Sequence, residues 1–88
     1  MARLTDSQRK LLRHLLFHES FDTIAVETGF SYGVIRDDLV TLMHAGMVEI
    51  YDESDTGRPQ RIQAYDGDRM QAYLFRASRK GMNEIQHT

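Results

Sequence analysis

Residues 21–48, FDTIAVETGFSYGVIRDDLVTLMHAGMV, decide how this chain folds, because they hold two helical patterns, the break between them and the exit into a strand. Ile24, Ala25 and Thr28 recur at helical spacing, and Gly29 follows as a residue free to take φ > 0 where a helix must stop. Phe30 and Ser31 form the turn. The Ser31 hydroxyl is placed to accept from one of the unpaired N–H groups that open the next helix, whose residues Ile35, Leu39 and Leu42 repeat at four and three and face inward. Gly46 ends that helix.

Upstream, Thr5-Asp-Ser-Gln8 has the form of a capping box, which starts a first helix near Asp6. Leu11, Leu12, Leu15 and Leu16, with Leu4 before them, fall on its core side, and Arg9, Lys10 and Arg13 fall on the other. Continued at about 100° per residue, the helix puts Phe17 beside Lys10 and Arg13. An aromatic there packs against the end of its own helix or forms a subunit contact. His14 and His18 stack four apart, a spacing that can share a metal, but no third ligand accompanies them, so no metal is expected.

Downstream of Gly46 the period falls to two. Met47, Val48, Ile50 and Tyr51 read as a strand, Asp52 to Pro59 as a turn cluster, and Arg61 to Tyr65 as a second strand. Asp66-Gly67 reads as a two-residue turn and Met70 to Arg76 as a third strand, which together make a small antiparallel meander. Ser78 caps a final short helix through Ile85, weakened by Gly81, with Met82 and Ile85 inward.

Eighty-eight residues make one domain with a small core, about 60–65% of the unfolded surface being buried at this size. With 41% hydrophobic and 27% charged residues the composition is that of a soluble globular protein. Apolar runs are too short to cross a bilayer and no signal-peptide pattern opens the chain, so a cytoplasmic location without membrane attachment is expected. The chain has no cysteine, which removes disulfide and thiol chemistry. A net charge of −2 works against general affinity for phosphates, so binding to nucleic acid needs a local basic patch.

The order helix, helix, helix, strand, turn, strand resembles the winged helix-turn-helix transcription regulators, over nearly the whole chain. Ile24-Ala25-x-x-Thr28-Gly29-Phe30-Ser31 is similar to that family's helix-turn segment, and Val34-Ile35-x-x-x-Leu39-x-x-Leu42-x-x-x-Gly46-x-Val48 to its recognition helix and exit strand. Thr56-Gly-Arg-Pro59 resembles the wing of the MarR-like and PadR-like branches, in which an arginine beside a glycine lies over the minor groove. The chain departs from them in the extra turn at Asp66-Gly67 and in lacking their long C-terminal dimerisation helices.

The resemblance implies an α+β winged helix-turn-helix: a three-helix core, a small antiparallel sheet with its wing and a short C-terminal helix. It also implies binding of double-stranded DNA, with Ser31–Ala45 in the major groove and the wing Asp52–Gln60 on the backbone or minor groove. The outward residues Ser31, Tyr32, Gly33, Arg36, Asp37, Val40 and Thr41, with Arg58 and Arg61 in the wing, are the expected contacts. Arg36 suits guanine, and Asp37 can accept from the amino group of cytosine, although its sign is wrong for phosphate. Arg36 can instead pair with Asp37 on a solvated face, and Asp52, Glu53 and Asp55 oppose the wing arginines. Asp38, nearer the core, is expected to cap or pair with the first helix.

A homodimer reading two half-sites is expected, with Phe17, Met82 and Ile85 as its surface. The residues for nucleophilic, paired-carboxylate or phosphate-loop catalysis do not assemble, so no enzyme and no cofactor is expected. The competing expectation is a winged helix that binds a protein partner, favoured by the acids on the outward surface.

Overall fold

The computed structural model describes residues 4–53 and 57–86. Among the described residues, four helices and a four-stranded antiparallel sheet follow one another as α1 (Asp6–Arg13), β1 (Glu19–Ser20), α2 (Phe21–Thr28), α3 (Tyr32–His44), β2 (Val48–Asp52), β3 (Gln60–Ile62), β4 (Leu74–Ala77) and α4 (Arg79–Gln86). A kinked 3-10 segment, Gly67–Ala72, lies between β3 and β4.

Each helix start is satisfied by a local side chain. The Thr5 hydroxyl accepts from the Gln8 N–H at 3.1 Å while the Gln8 side chain accepts from the Thr5 N–H at 3.0 Å, a complete capping box. Ser20 caps α2, Ser31 caps α3 and Ser78 accepts from the Gly81 N–H in α4. Gly29 closes α2 at φ +72°, a left-handed conformation that a residue with a Cβ adopts at a cost.

The core joins Leu11, Leu12 and Leu15 from the first helix and its exit, Phe21 and Ile24 from α2, and Ile35, Leu39 and Leu42 from α3. They meet Val48, Ile50, Phe75 and Ala77 on one face of the sheet. All three α3 residues are fully buried. Asp38 sits among them and accepts from the Ser7 hydroxyl at 2.7 Å, the tie between α3 and the first helix expected of it.

The sheet is not a meander. Its order is β1-β4-β2-β3, so the chain leaving β3 passes β2 and β4 pairs with the other edge of β2, Ile50 facing Phe75 and Val48 facing Ala77, while β3 lies on the outer edge. The second strand is Gln60–Ile62 rather than Arg61 to Tyr65, and the third begins at Leu74 rather than Met70. Asp66-Gly67 is not a hairpin turn: the Asp66 carboxylate accepts from the Asp68 N–H at 2.9 Å and opens the 3-10 segment. Met70, fully buried, draws that segment into the core, which is why alternation there does not produce a strand.

Helix α1 ends at Arg13, so extending its 100° steps to Leu16 and Phe17 fails. Leu16 is 49% exposed instead of inward, and Phe17 at 76% does not pack against the helix end. Gly81 is buried where α4 packs so closely that a Cβ would strike the Met47 carbonyl and come within 3.3 Å of Leu12 Cδ1; its place is steric, whatever its helix propensity. Met82 and Ile85 pack, half-buried, against the core, as their inward assignment expects.

Candidate functional site

Burying Ile35, Leu39 and Leu42 fixes the rotation of α3 and thereby its outward residues. Ser31, Tyr32, Gly33, Arg36, Asp37 and Thr41 are exposed and Val40 is half-buried. Ser31 also accepts from the Val34 N–H at 3.4 Å, so its hydroxyl is shared with the cap. Tyr32 leans back on Phe21, ring centres 4.7 Å apart, which holds its phenol at the rim. Arg36 and Asp37 approach each other at 3.9 Å between Nε and Oδ1, a loose pair whose side chains are 45% and 77% exposed.

Beside these residues runs a groove of about 450 Å³, lined by Arg36, Asp37, Val40 and Thr41 from α3 and by Tyr65, Gly67 and Asp68 opposite. The opposing wall is held firmly. Met70 anchors it in the core, the Asp66 N–H donates to the Tyr73 hydroxyl at 2.9 Å, and the Arg69 N–H donates to the Asp66 carbonyl at 2.9 Å. Four of the nine expected contacts thus share one groove with three residues not expected there. Only the local turn has a signal in the sequence: in Asp66-Gly67-Asp68 the first aspartate can accept from the N–H two residues on, which starts a helical turn but does not place it opposite α3.

The expected wing is only partly described: Asp55 and Thr56 lie outside the described residues. Gly57 takes φ +72° and donates its N–H to the Glu53 carbonyl at 3.0 Å, and Arg58 and Pro59 are exposed. Arg61 is engaged from within the molecule. Its Nη1 lies 3.3 Å from Glu49 Oε2, while the Tyr51 hydroxyl donates to Glu49 Oε1 at 2.8 Å. Burial pushes the Tyr51 phenol above its ordinary pKa, the hydrogen bond and charge of Glu49 add to this, and Arg76 and Arg61 oppose it. The expected acids opposing the arginines, Asp52, Glu53 and Asp55, do not include Glu49, the one that engages Arg61, which alternation places on the same sheet face as Tyr51.

The basic residues of the first helix are also engaged. Arg9 reaches Asp6 at 3.3 Å and the Leu4 carbonyl at 3.4 Å, and the Lys10 ammonium lies 5.2 Å from the centre of the Phe30 ring, beside the α2–α3 turn. Lys80 donates to the Ala45 carbonyl at 2.8 Å, a cation at the C-terminal end of α3. His14 meets Glu27 at 3.0 Å and His18 stacks edge-on against Tyr51, so the two imidazoles have separate partners. Among the described residues no three histidine or carboxylate side chains gather at metal-binding range, and no helix is long and apolar enough to cross a membrane.

No protein-family model, no curated protein and no solved structure matches this chain.

Proposed function

We infer that this chain is a winged helix-turn-helix protein that binds double-stranded DNA, with α3 as its recognition helix and the β2–β3 connection as its wing. The observation that carries the reading is the rotation of α3: its apolar stripe is fully buried and Arg36, Asp37 and Thr41 project from the far side, after a tight Gly-containing turn from α2. Arg36 would read a guanine edge, Ser31 and Tyr32 a phosphate or base edge, and Arg58 the backbone or minor groove. The protein acts as a small transcription regulator in the cytoplasm, as a dimer on two half-sites. With Met82 and Ile85 packed inward, Phe17 and Leu16 are left as the dimer contact.

Fluorescence anisotropy on random and genomic duplexes tests this. Replacing Arg58 and Arg61 together by alanine should weaken binding and flatten the slope of log K against log salt by about one to two units, because fewer counterions are released. Asp37→Asn should raise nonspecific affinity by removing a repulsive charge. Absence of binding by the parent protein at low salt would reject the reading.

One observation favours a second reading, docking of a protein on the same face. Asp37 and Asp68 both line the groove and Arg36 is its one cation among the described residues, so a phosphate there would meet more repulsion than attraction.

A further inference from the structure

The groove beside α3 differs from an ordinary exposed helix face in having a second wall. That wall is fixed by the buried Met70 and by the hydrogen bonds of Asp66, so the space exists without an occupant to shape it. At about 450 Å³ it falls within the range of small-ligand clefts, roughly 300–1,000 Å³, and has room for one large side chain but not for a duplex.

Its chemistry selects the side chain. Val40 and Thr41 give an apolar and hydroxylic floor, Tyr65 an aromatic surface, and Asp37 and Asp68 two carboxylates. The Asp68 carboxylate enters no ion pair among the described residues, and Asp37 has the loose 3.9 Å approach of Arg36, which solvent screens. We propose that this groove is a docking site for an arginine side chain presented by a protein partner. The inference rests on the second reading above, in which the outward face of α3 meets protein. A guanidinium is planar, stacks on a tyrosine and bonds carboxylates in a fork, and it carries the charge that two acids against one arginine call for. Lysine supplies the charge without the plane, and ranks second.

Occupancy of this groove covers Arg36, Asp37, Val40 and Thr41 together, four of the residues on the outward side of α3 assigned to DNA. A partner seated there excludes the duplex, so one surface would serve to bind and to be released.

Amide chemical shifts of the labelled protein, titrated with Nα-acetyl-arginine amide at millimolar concentration, read the site directly. The expected result is a saturable shift confined to Asp37, Val40, Thr41, Tyr65 and Asp68, weaker with the lysine amide and lost with the uncharged citrulline amide. Asp68→Asn, at an exposed position, should abolish most of the response with the rest of the spectrum unchanged. An equal response to citrulline, or shifts spread evenly over remote acids such as Asp22 and Glu84, would overturn the proposal. If Nα-acetyl-leucine amide fills the groove instead, docking stands and the arginine assignment fails. If a DNA duplex shifts the groove residues and none of the amides does, the docking reading fails with it.

Discussion

Asp37 and Asp38 are neighbours on α3 with the same side chain and opposite circumstances. Asp38 is buried, accepts from the Ser7 hydroxyl at 2.7 Å and stands among Ile35, Leu39 and Leu42; Asp37 is exposed, with an arginine at 3.9 Å and a groove in front of it. One helical step, about 100°, separates a carboxylate that ties α3 to the first helix from one exposed to solvent. A buried polar group persists where it is bonded, because leaving it unpaired costs about 1–3 kcal/mol. An exposed one carries no such requirement, so the outward side of α3 is free to be shaped by a partner.

The largest effect should come from the inner side. Leu39→Ala removes the centre of the buried stripe and leaves a cavity, with an expected loss of about 2–5 kcal/mol in urea unfolding. Coincident urea curves for variant and parent would mean that α3 is not seated on the core as described. Next, the aspartates compared directly: Asp38→Ala should cost about 1–2 kcal/mol by removing the acceptor of Ser7, whereas Asp37→Ala should stay within about 0.5 kcal/mol. Equal losses at both positions would erase the distinction between the two sides. Asp37→Asn belongs to the outer side and should change affinity for DNA while leaving the melt in place.

Much of this contrast could be read from the chain because it is local. Thr5 with Gln8, Ser31 at a helix start and Gly29 at a helix end act within four residues, and the four-three repeat of Ile35, Leu39 and Leu42 fixes the rotation of α3 by itself. Asp38 was assigned to the first helix on that rotation. The opposite wall was not legible, for its position depends on contacts distant in sequence. The crossing of β4 onto β2, with Tyr51 opposite Leu74, and the burial of Met70 decide it. Alternation from Met70 to Arg76 is the same pattern whether or not Met70 enters the core, so strand and 3-10 segment could not be told apart. Gly81 misled in the same way: propensity penalises it in a helix, and the nearby Met47 carbonyl, invisible in the sequence, requires it.

A smaller effect concerns the exposed aromatic beyond the helices of this comparison. Phe17→Glu should leave stability within about 0.5 kcal/mol, since the side chain is 76% exposed, and should convert a dimer to a monomer in sedimentation. A dimer that survives the change moves the interface elsewhere.

The claim that the outward side of α3 is where this protein meets DNA has one direct measurement, the amide shifts of the labelled protein on addition of duplex at low salt. The largest changes are expected at Ser31, Tyr32, Gly33, Arg36, Asp37 and Thr41, with a second group at Arg58 and Arg61, and little at Ile35 and Leu39. Shifts confined to the outer sheet face around Glu49 and Arg76, or to α4, with α3 unmoved, would contradict it.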